Sequence, residues 1–339
     1  MKAVSVRAGG GVEIRETSVP EIREGELLIE MKACGIDGTD LEKAFGKPLT
    51  PPMLGHEVVG VVAESSADGF RKGERVFVHH HVSCGACYYC LHGSPTMCPL
   101  FLKTSIEPCG FAEFFRVPKT NVERGAVLKL PENIDWLEAV FIEPAACVLR
   151  ALKRSGFKAG DSISIVGAGP TGAIFIVVAK SLGAGVVAVA DLSRYRLAKA
   201  VEAGAHAAVD PSTNDFPKTC RDLTDGRGVD IGVLATPAAK PLSMALQSIR
   251  KGGTLCFFGA PEKGDKTEVD FSSLFIEEKN IVTTYSTTEA ETNTILNLLA
   301  MGRFSLKTLI THVYSLEEAE TAFQTARDVS KSLKVVLTS

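Results

Sequence analysis

DSISIVGAGPTGA, residues 161–173, joins an apolar run to a glycine-rich turn. The apolar run has the length and composition of a buried strand, and three glycines follow it in the order G-x-G-x-x-G. In this pattern Gly167 permits a tight turn, Gly169 lets the backbone approach a pyrophosphate, and Gly172 allows close packing of a helix on the strand. The stretch therefore predicts a strand, a phosphate-binding loop and the start of a helix.

The residues around these glycines indicate a dinucleotide ligand. Pro170 suits the first turn of a helix, where its missing N–H costs nothing, and Thr171 follows it at the anion-attracting helix start. The next apolar run, VVAVA, ends at Asp191, which is able to accept both ribose hydroxyls of NAD and would repel a 2′-phosphate. NAD is therefore predicted, with Arg196 in its site. Because Arg194 and Arg196 are close in sequence, NADP is an alternative cofactor. A second alternative is a glycine-rich turn that binds no ligand.

From residue 161 onward, short β-rich runs alternate with helical segments. The strand candidates are DSISIV, VVAVA, AAV (207–209), DIGVL, TLCFF and IVTTY. The helical segments between them are roughly 170–182, 194–203, 214–224 and 238–250. Continuous apolar strands separated by helices are typical of a parallel sheet that is covered on both faces. Six such strands predict a doubly wound α/β domain.

The first 145 residues have a different pattern. Strand-like runs such as ELLIEM and EVVGVVAE lie among Gly and Pro turns, which predicts an irregular, mostly antiparallel domain. After Tyr285 the alternation stops, and residues 288–302 and 316–328 have helical patterns. We therefore predict a discontinuous first domain, 1–146 with 287–339, and a dinucleotide-binding domain at 147–286.

The composition limits the function classes. At 339 residues, with 45% hydrophobic and 23% charged residues, the chain suits a two-domain globular protein. A net charge of −3 gives no electrostatic footprint for nucleic acid, and neither a signal core nor a basic membrane helix is apparent. The apolar stretch 172–190 is interrupted by Lys180, Gly183 and Gly185, so two buried elements are expected there instead of a membrane span. A cytoplasmic protein is predicted.

Four of the nine cysteines are crowded into CGACYYCLHGSPTMC. Cys84, Cys87, Cys90 and Cys98 have the spacing C-x2-C-x2-C-x7-C, and without an export signal such crowding indicates metal and not disulfides. Four thiolates form a closed, structural zinc site. An iron–sulfur cluster is the alternative, although this spacing does not match the ferredoxin pattern.

A second set of polar residues lies in apolar surroundings. GHEVVG places His56 and Glu57 at the start of a strand, and IEPAACVLRAL places Glu143 in an apolar run. A lone His-Glu pair is more often a surface feature than a site. A metal ion near Glu143 would explain why this carboxylate lies among apolar residues.

Taken together, these motifs resemble the zinc-dependent medium-chain dehydrogenases, which include alcohol, sorbitol, threonine and glucose dehydrogenases. The resemblance covers essentially the whole chain and includes GHEVVG, the cysteine lobe, GFAEFFRVP (110–118), GAGPTG and LKTLITHVYSLEEAETAF. It implies a GroES-like, mainly β catalytic domain and a Rossmann domain, with a catalytic metal between them. It further implies two zinc ions per chain, one catalytic and one structural.

The first catalytic ligand in this family is usually a cysteine in a segment resembling G-I-C-x-S/T-D. Aligned with it, GIDGTD (35–40) places Asp37 at the ligand position and Thr39 at the hydroxyl position, whereas Cys34 falls three residues too early. The resemblance thus implies catalytic zinc on Asp37, His56 and either Glu57 or Glu143. In carboxylate-rich members of the family a water is among the ligands, and Glu143 would then act through that water. A carboxylate ligand holds zinc more loosely than a thiolate, so Mn or Co would compete better.

The family's chemistry implies oxidation of a secondary alcohol. Asp37, His56 and Glu57 would hold or tune the metal, and Thr39 would take the hydroxyl proton. Glu42 stands where alcohol and sorbitol dehydrogenases commonly carry a histidine, as in the haloarchaeal glucose dehydrogenases of the family. His80 occupies a position that lines the substrate pocket in relatives, although a structural role for it stays open.

These carboxylates favour a sugar or polyol substrate. Threonine and simple secondary alcohols are the alternatives within the same chemistry. Zinc-free quinone reductases share the fold but lack the cysteine lobe and the His-Glu pair. Because Asp37 replaces the usual cysteine, a catalytically inactive nucleotide-binding protein is the remaining alternative. The polyol relatives imply a homo-oligomer, a dimer or a tetramer.

Overall fold

The computed structural model describes residues 1–46, 54–238, 240–261 and 264–339. The chain divides into two compact units. The first comprises Met1–Ala146, Ser286–Asp328 and Lys334–Ser339, and the second comprises Cys147–Tyr285 and Val329–Leu333. No helix among the described residues is both long and apolar enough to cross a membrane.

Fifteen strands are described. In chain order they are β1 Lys2–Val6, β2 Val12–Glu16, β3 Leu27–Ile36, β4 Glu57–Ser65, β5 Arg75–Val78, β6 Phe114–Val117, β7 Val127–Lys129, β8 Ser162–Val166, β9 Val186–Ala190, β10 Ala207–Val209, β11 Val229–Leu234, β12 Ile249–Phe257, β13 Asn280–Thr283, β14 Ile310–Ser315 and β15 Lys334–Thr338.

Twelve α-helices accompany them in the described ranges. They are α1 Gly38–Phe45, α2 Tyr88–Leu91, α3 Lys119–Glu123, α4 Trp136–Ala139, α5 Ile142–Arg154, α6 Pro170–Ser181, α7 Arg194–Glu202, α8 Phe216–Asp222, α9 Leu242–Ser248, α10 Phe271–Ile276, α11 Glu289–Ala300 and α12 Ala319–Arg327.

The first unit is built around a seven-stranded sheet in the order β14-β15-β3-β4-β5-β7, with β6 paired to β3. Its pairs are antiparallel except β14 with β15, which run parallel. Alternate residues of the long strand β3, including Leu27, Ile29 and Met31, are fully buried, because one face of the sheet covers the core. Phe111 and Phe323 meet edge to face in that core, with ring centroids 5.7 Å apart.

The second unit is a six-stranded parallel sheet in the order β10-β9-β8-β11-β12-β13. The order of the strands reverses at β8, as in other doubly wound sheets. All five residues of β8 are buried, including Ser162 and Ser164, because both faces of a parallel sheet are covered. This confirms the predicted doubly wound α/β fold.

Some boundaries differ from the sequence prediction. Helix α9 ends at Ser248 and β12 begins at Ile249, whereas a helix to residue 250 and a strand from 254 were expected. Gly252 adopts φ +68°, and the β11–β12 register shifts beside it, so the glycines extend the strand by an irregular segment. Residue 239 of the predicted helix lies outside the described residues. The predicted helix 316–328 begins as a 3-10 turn, Leu316–Glu318, before α12.

Candidate active site and metal centres

The cysteine lobe brings its four sulfur atoms together. Cys84, Cys87, Cys90 and Cys98 have ligand atoms that all lie within 4.8 Å of one another. The Sγ atoms of Cys84 and Cys90 are 3.9 Å apart, and those of Cys87 and Cys90 are 3.5 Å apart. A tetrahedral zinc with Zn–S bonds of about 2.3 Å requires sulfur atoms roughly 3.8 Å apart. The lobe therefore fits a structural zinc ion with no further position for a substrate.

Backbone N–H groups of the lobe prepare the thiols for a cation. The N–H groups of Ala86 and Cys87 lower the pKa of Cys84 to about 6, and the Cys87 N–H lies 3.3 Å from the Cys84 Sγ. The Cys98 Sγ accepts from the N–H groups of Cys84 and Leu100, each at 3.4 Å. Thiolate is the form that binds metal, so these donors favour the ligand state of Cys84. The Cys90 N–H acts in the same direction on Cys87, but burial and the neighbouring thiols raise the pKa of Cys87 to about 11.

Helix α1 places Asp37 at its N-terminus. Asp37 is the N-cap residue, its Oδ1 accepts from the Thr39 N–H, and Asp40 completes a capping box. An N-cap carboxylate is favoured because it satisfies free N–H groups of the first turn. Cys34 is fully buried in β3, and burial raises the pKa of its thiol well above the ordinary value. Asp37, and not Cys34, is thus the side chain that the chain presents at the start of the helix.

Two carboxylates point at one nitrogen of His56. The Asp37 Oδ2 lies 3.4 Å from the His56 Nε2, and the Glu143 Oε2 lies 4.0 Å from the same nitrogen. His56 is 7% exposed and Glu143 4% exposed. The other nitrogen of the ring, Nδ1, lies 3.9 Å from the Asp40 Oδ1. Three acidic groups therefore surround a single buried imidazole.

The site strongly favours positive charge. Burial disfavours a charged imidazole, but the hydrogen bond that His56 donates to Asp37 and the charges of Glu143 and Asp40 raise the pKa of His56 to about 10. Burial also disfavours a charged Asp37, yet its contact with His56 holds the pKa of that carboxyl well below its usual range. A divalent cation bound by His56 would neutralise the same carboxylates.

Asp37 and His56 have the spacing of two metal ligands. Neighbouring N and O ligands of tetrahedral zinc are about 3.4 Å apart, which matches the distance between Asp37 and His56. Apart from the four cysteines, the described residues contain no set of three such ligands with all ligand atoms within 4.8 Å. Glu143 and Asp37 must therefore draw closer to each other around an ion.

Glu57 has a different partner. Its Oε2 accepts a hydrogen bond from the Lys334 Nζ, and both side chains are 1% exposed. Burial raises the pKa of Glu57 to about 7, against the opposing charge of Lys334. Lys334 also donates to the Ile36 carbonyl at 3.1 Å. An added Cβ at Gly35 would clash with the Glu57 Oε2, so a glycine is required beside this ion pair.

Three consecutive histidines lie next to His56. The rings of His56 and His80 are 5.0 Å apart between centroids, and those of His80 and His81 are 3.9 Å apart. The His81 Nδ1 lies 2.7 Å from the Thr104 carbonyl oxygen. His79 is fully buried, and its Nδ1 lies 3.8 Å from the Glu289 Oε1. Asn121 also holds this segment, because its Nδ2 donates to the His80 carbonyl.

In the second unit, the glycine-rich loop has the geometry of a phosphate site. Gly167 adopts φ +104°, where a side chain would be strained. An added Cβ at Gly172 would clash with the Gly167 carbonyl, which explains why helix α6 packs closely on β8 only with glycine there. Gly169 is the N-cap residue of α6, and Pro170 and Thr171 form its first turn. Free N–H groups at this end are available to an anion.

Asp191 and Arg196 flank that loop. The Asp191 carboxylate accepts from the N–H groups of Ala168 and Ser193, each at 2.7 Å, which fixes its position beside the loop. The guanidinium of Arg196 lies about 3.5 Å from the position of a Cβ added to Gly169. Its buried Nε has no hydrogen-bond partner among the described residues, and burial lowers the pKa of the group. Such an arginine is placed to meet an anionic or hydroxyl-bearing ligand.

Sequence reasoning missed Asp40, Lys334 and Glu289. Asp40 is fully buried and accepts from the Gly55 N–H at 2.9 Å, so it ties α1 to the segment before His56. A lysine at the start of the apolar run KVVL was the available signal for Lys334. Glu289 had no local signal, because its partner His79 is 210 positions away in the sequence.

Comparison with known proteins defines the class. Residues 23–132 match the alcohol dehydrogenase GroES-like domain, and residues 170–301 match the zinc-binding dehydrogenase domain. The chain is 32% identical to a sorbitol dehydrogenase of Bacillus subtilis, with 99% of this chain and 97% of that protein covered. It is 35% identical to an L-threonine 3-dehydrogenase of Pyrococcus furiosus, with coverages of 96% and 94%. The solved alcohol dehydrogenase TADH from Thermus sp. ATN1 superposes with a TM-score of 0.88 at 27% identity, covering 100% of this chain and 99% of that one.

The fold, the cysteine lobe and these relatives together define a zinc-containing, NAD(P)-dependent dehydrogenase that acts on CH–OH groups. The chain belongs to the zinc-binding dehydrogenase family, with a GroES-like β domain and a Rossmann sheet.

Proposed function

We propose that this enzyme transfers a hydride between the secondary alcohol of a sugar or polyol and NAD. The observation that carries the proposal is the approach of Asp37 and Glu143 to one nitrogen of the buried His56. Two carboxylates and an imidazole are a suitable ligand set for a catalytic zinc. The first unit then serves as the catalytic domain, and the second as the dinucleotide-binding domain.

Asp37, His56 and Glu143 would hold the catalytic zinc. A bound zinc polarises the alcohol oxygen and lowers its pKa. Glu143 is preferred to Glu57 as the third ligand, because Glu57 is engaged by Lys334 whereas Glu143 faces His56 directly. Glu57 does not bind the zinc in this proposal. It influences Asp37, His56 and Glu143 electrostatically.

Thr39 is the proposed acceptor of the alcohol proton. It lies half-buried in the first turn of α1, two residues after Asp37, and its N–H donates to the Asp37 carboxylate. The Thr39 hydroxyl would be able to accept the alcohol proton while passing its own proton to solvent. The same turn of backbone therefore positions both the ligand and the proton acceptor.

NAD is the proposed cofactor in preference to NADP. When bound, NAD would supply its nicotinamide as the hydride acceptor. Asp191 follows β9 and is fixed beside the loop, where its charge suits the two ribose hydroxyls and opposes a 2′-phosphate. Gly167, Gly169, Pro170 and Gly172 would receive the pyrophosphate, and Arg196 lies against the same loop.

A polyol or sugar is preferred as the substrate because acidic side chains dominate the proposed catalytic site. Carboxylates accept hydrogen bonds from several hydroxyl groups at once. The 32% identity to a sorbitol dehydrogenase supports this choice, and the 35% identity to an L-threonine 3-dehydrogenase makes threonine the second candidate.

We also propose a homo-oligomer, as the resemblance to the polyol dehydrogenases of this family implies.

The test is NADH formation from NAD with a panel of polyols, aldoses, L-threonine and simple secondary alcohols. Asp37→Ala and chelator-treated enzyme are measured beside the wild type, with zinc content determined for each. The proposal expects turnover of a polyol or sugar by wild type only, with two zinc ions per chain in wild type and one in Asp37→Ala. Cys256→Ala, in the buried core of the second unit, is the matched control and should keep both zinc and activity.

Preference for threonine over every polyol would select the second candidate. Failure of every substrate after zinc addition, with one zinc per chain in the wild type, would instead indicate an inactive nucleotide-binding protein.

A further inference from the structure

Helix α11 begins with a carboxylate that has a buried imidazole behind it. Glu289 is the first residue of α11, and its side chain is 21% exposed. Its Oε1 is buried, lies 3.8 Å from the His79 Nδ1 and has no hydrogen-bond partner among the described residues. At that distance the two groups are neighbours but do not form a direct hydrogen bond. The positive end of α11 favours a negative charge at this position.

The same neighbourhood contains other polar atoms without partners. Both ring nitrogens of His79 and the Nδ1 of His80 are buried and unpaired within the described part of the chain. The hydroxyl of Thr287, two residues before Glu289, is also buried and unpaired there. Buried polar groups are nearly always hydrogen-bonded, because leaving one unpaired costs about 1–3 kcal/mol. A concentration of such atoms indicates a place where water or a polar ligand completes the hydrogen bonds.

This neighbourhood is continuous with the proposed zinc site. The ring of His80 lies 5.0 Å from that of His56 and 5.4 Å from that of His79, measured between centroids. His79 in turn leads to Glu289. The side chains therefore form an unbroken series from the metal ligand to the start of α11, all within the first unit.

We propose that Glu289 binds hydroxyl groups of the substrate that lie beyond the carbon being oxidised and the carbon next to it, with His79 as its positioning residue. This inference rests on the proposed function, since it assigns specificity within the same site. Glu289 is partly exposed and is able to touch the substrate, whereas His79 is fully buried and acts only through Glu289. Its imidazole stabilises the carboxylate in one orientation.

The chemistry selects a hydroxyl-rich substrate. A carboxylate accepts hydrogen bonds and donates none, so it matches hydroxyl donors. A monohydric alcohol would leave the carboxylate facing an apolar group, and a substrate carboxylate would be repelled by it. Sites that bind a hydroxyl discriminate strongly against analogues that lack it, because the protein group is left unpaired.

The experiment compares sorbitol with 2,3-butanediol. The only hydroxyls of 2,3-butanediol are on the carbon being oxidised and on the carbon next to it. Both are measured with wild type, Glu289→Gln, Glu289→Leu and His79→Gln, together with Asn297→Ala, an exposed change on the same helix. Glu289→Leu is expected to lower kcat/KM for sorbitol by about 10- to 100-fold more than kcat/KM for 2,3-butanediol, as one charged hydrogen bond is lost. The loss should appear mainly in KM, with a smaller effect in Glu289→Gln and His79→Gln.

Equal losses on both substrates, or no loss on either, would overturn the inference. Equilibrium binding of sorbitol to each variant in the presence of NADH provides a readout that does not depend on turnover. Should the wild type oxidise nothing, weaker sorbitol binding by Glu289→Leu than by Asn297→Ala would still support the inference while the proposed function fails. Equal sorbitol affinity in those two variants would overturn it.

Discussion

The Lys334 Nζ donates to the Glu57 Oε2 in an ion pair whose two side chains are each 1% exposed. Lys334 opens β15, and Glu57 opens β4, so residues 277 positions apart meet beside β3. A charge this deeply buried is tolerated only with a partner. The pair therefore joins the C-terminal strand of the first unit to the segment that carries His56.

Removing one member of this pair should be strongly destabilising. Lys334→Met is expected to lower the free energy of unfolding by about 3–5 kcal/mol, because the buried Glu57 carboxyl loses its cationic partner and its hydrogen-bond donor. Chemical denaturation of the wild type and the variant measures this. In the double variant Lys334→Met/Glu57→Gln the unpaired carboxyl is gone, so more than half of the loss should be recovered. A double variant no more stable than Lys334→Met would contradict the assignment.

The cysteine lobe should control one zinc ion per chain. Cys90→Ser is expected to reduce zinc content by one and to lower the thermal midpoint, because a structural site needs all four thiolates. Elemental analysis and a thermal melt give both values. Cys220→Ser, which changes a buried cysteine outside the lobe, should leave the zinc content unchanged. Full zinc content in Cys90→Ser would rule out the four-thiolate site.

Asp37 should set the metal preference of the catalytic site. Asp37→Cys replaces a hard oxygen ligand by a soft thiolate, so zinc should bind at least 10-fold more tightly relative to manganese. Competition between the two ions, measured by equilibrium dialysis, gives this ratio. The structural lobe provides an internal reference, since its preference should not change. An unaltered ratio at the catalytic site would mean that Asp37 is not a ligand.

His81 should remain neutral at pH values at which an unfolded histidine is already protonated. Burial lowers its pKa to about 4, whereas an unfolded histidine titrates near 6.5. Because the folded pKa is depressed, the stability from neutral His81 is fully present above pH 6.5 and is lost as pH falls from about 6.5 toward 4. Between pH 7.5 and 5.5 this amounts to about 1.4 kcal/mol. NMR titration of labelled histidines, with His81→Gln to assign the signal, checks the value, and a pKa near 6.5 would contradict it.

Asp191 should determine the choice of cofactor. Asp191→Ala removes the acceptor for the ribose hydroxyls and the repulsion of a 2′-phosphate, so the NAD/NADP ratio of kcat/KM should fall by about 100-fold. Steady-state kinetics with both cofactors measures the ratio. Asp215→Ala, which alters an N-cap elsewhere in the second unit, is a control for general loss of stability. An equal fall with both cofactors would indicate a structural role only.

The sequence determined the features that depend on local spacing. The glycines of 167–172 require a tight turn and a close helix wherever the chain is folded, and continuous apolar runs specify buried parallel strands. Cys84, Cys87 and Cys90 are close neighbours in the chain, so their convergence on one ion follows from backbone geometry alone. These features needed no knowledge of long-range contacts.

Only the tertiary structure decided which distant side chains meet. Glu57 and Glu143 were equal candidates from sequence, and they became distinct because Lys334 packs against the first while His56 faces the second. Likewise, His79 meets Glu289 only because the first unit gathers segments from both ends of the chain. The pairing of buried charges depends on long-range packing, and local sequence carries no record of the partner.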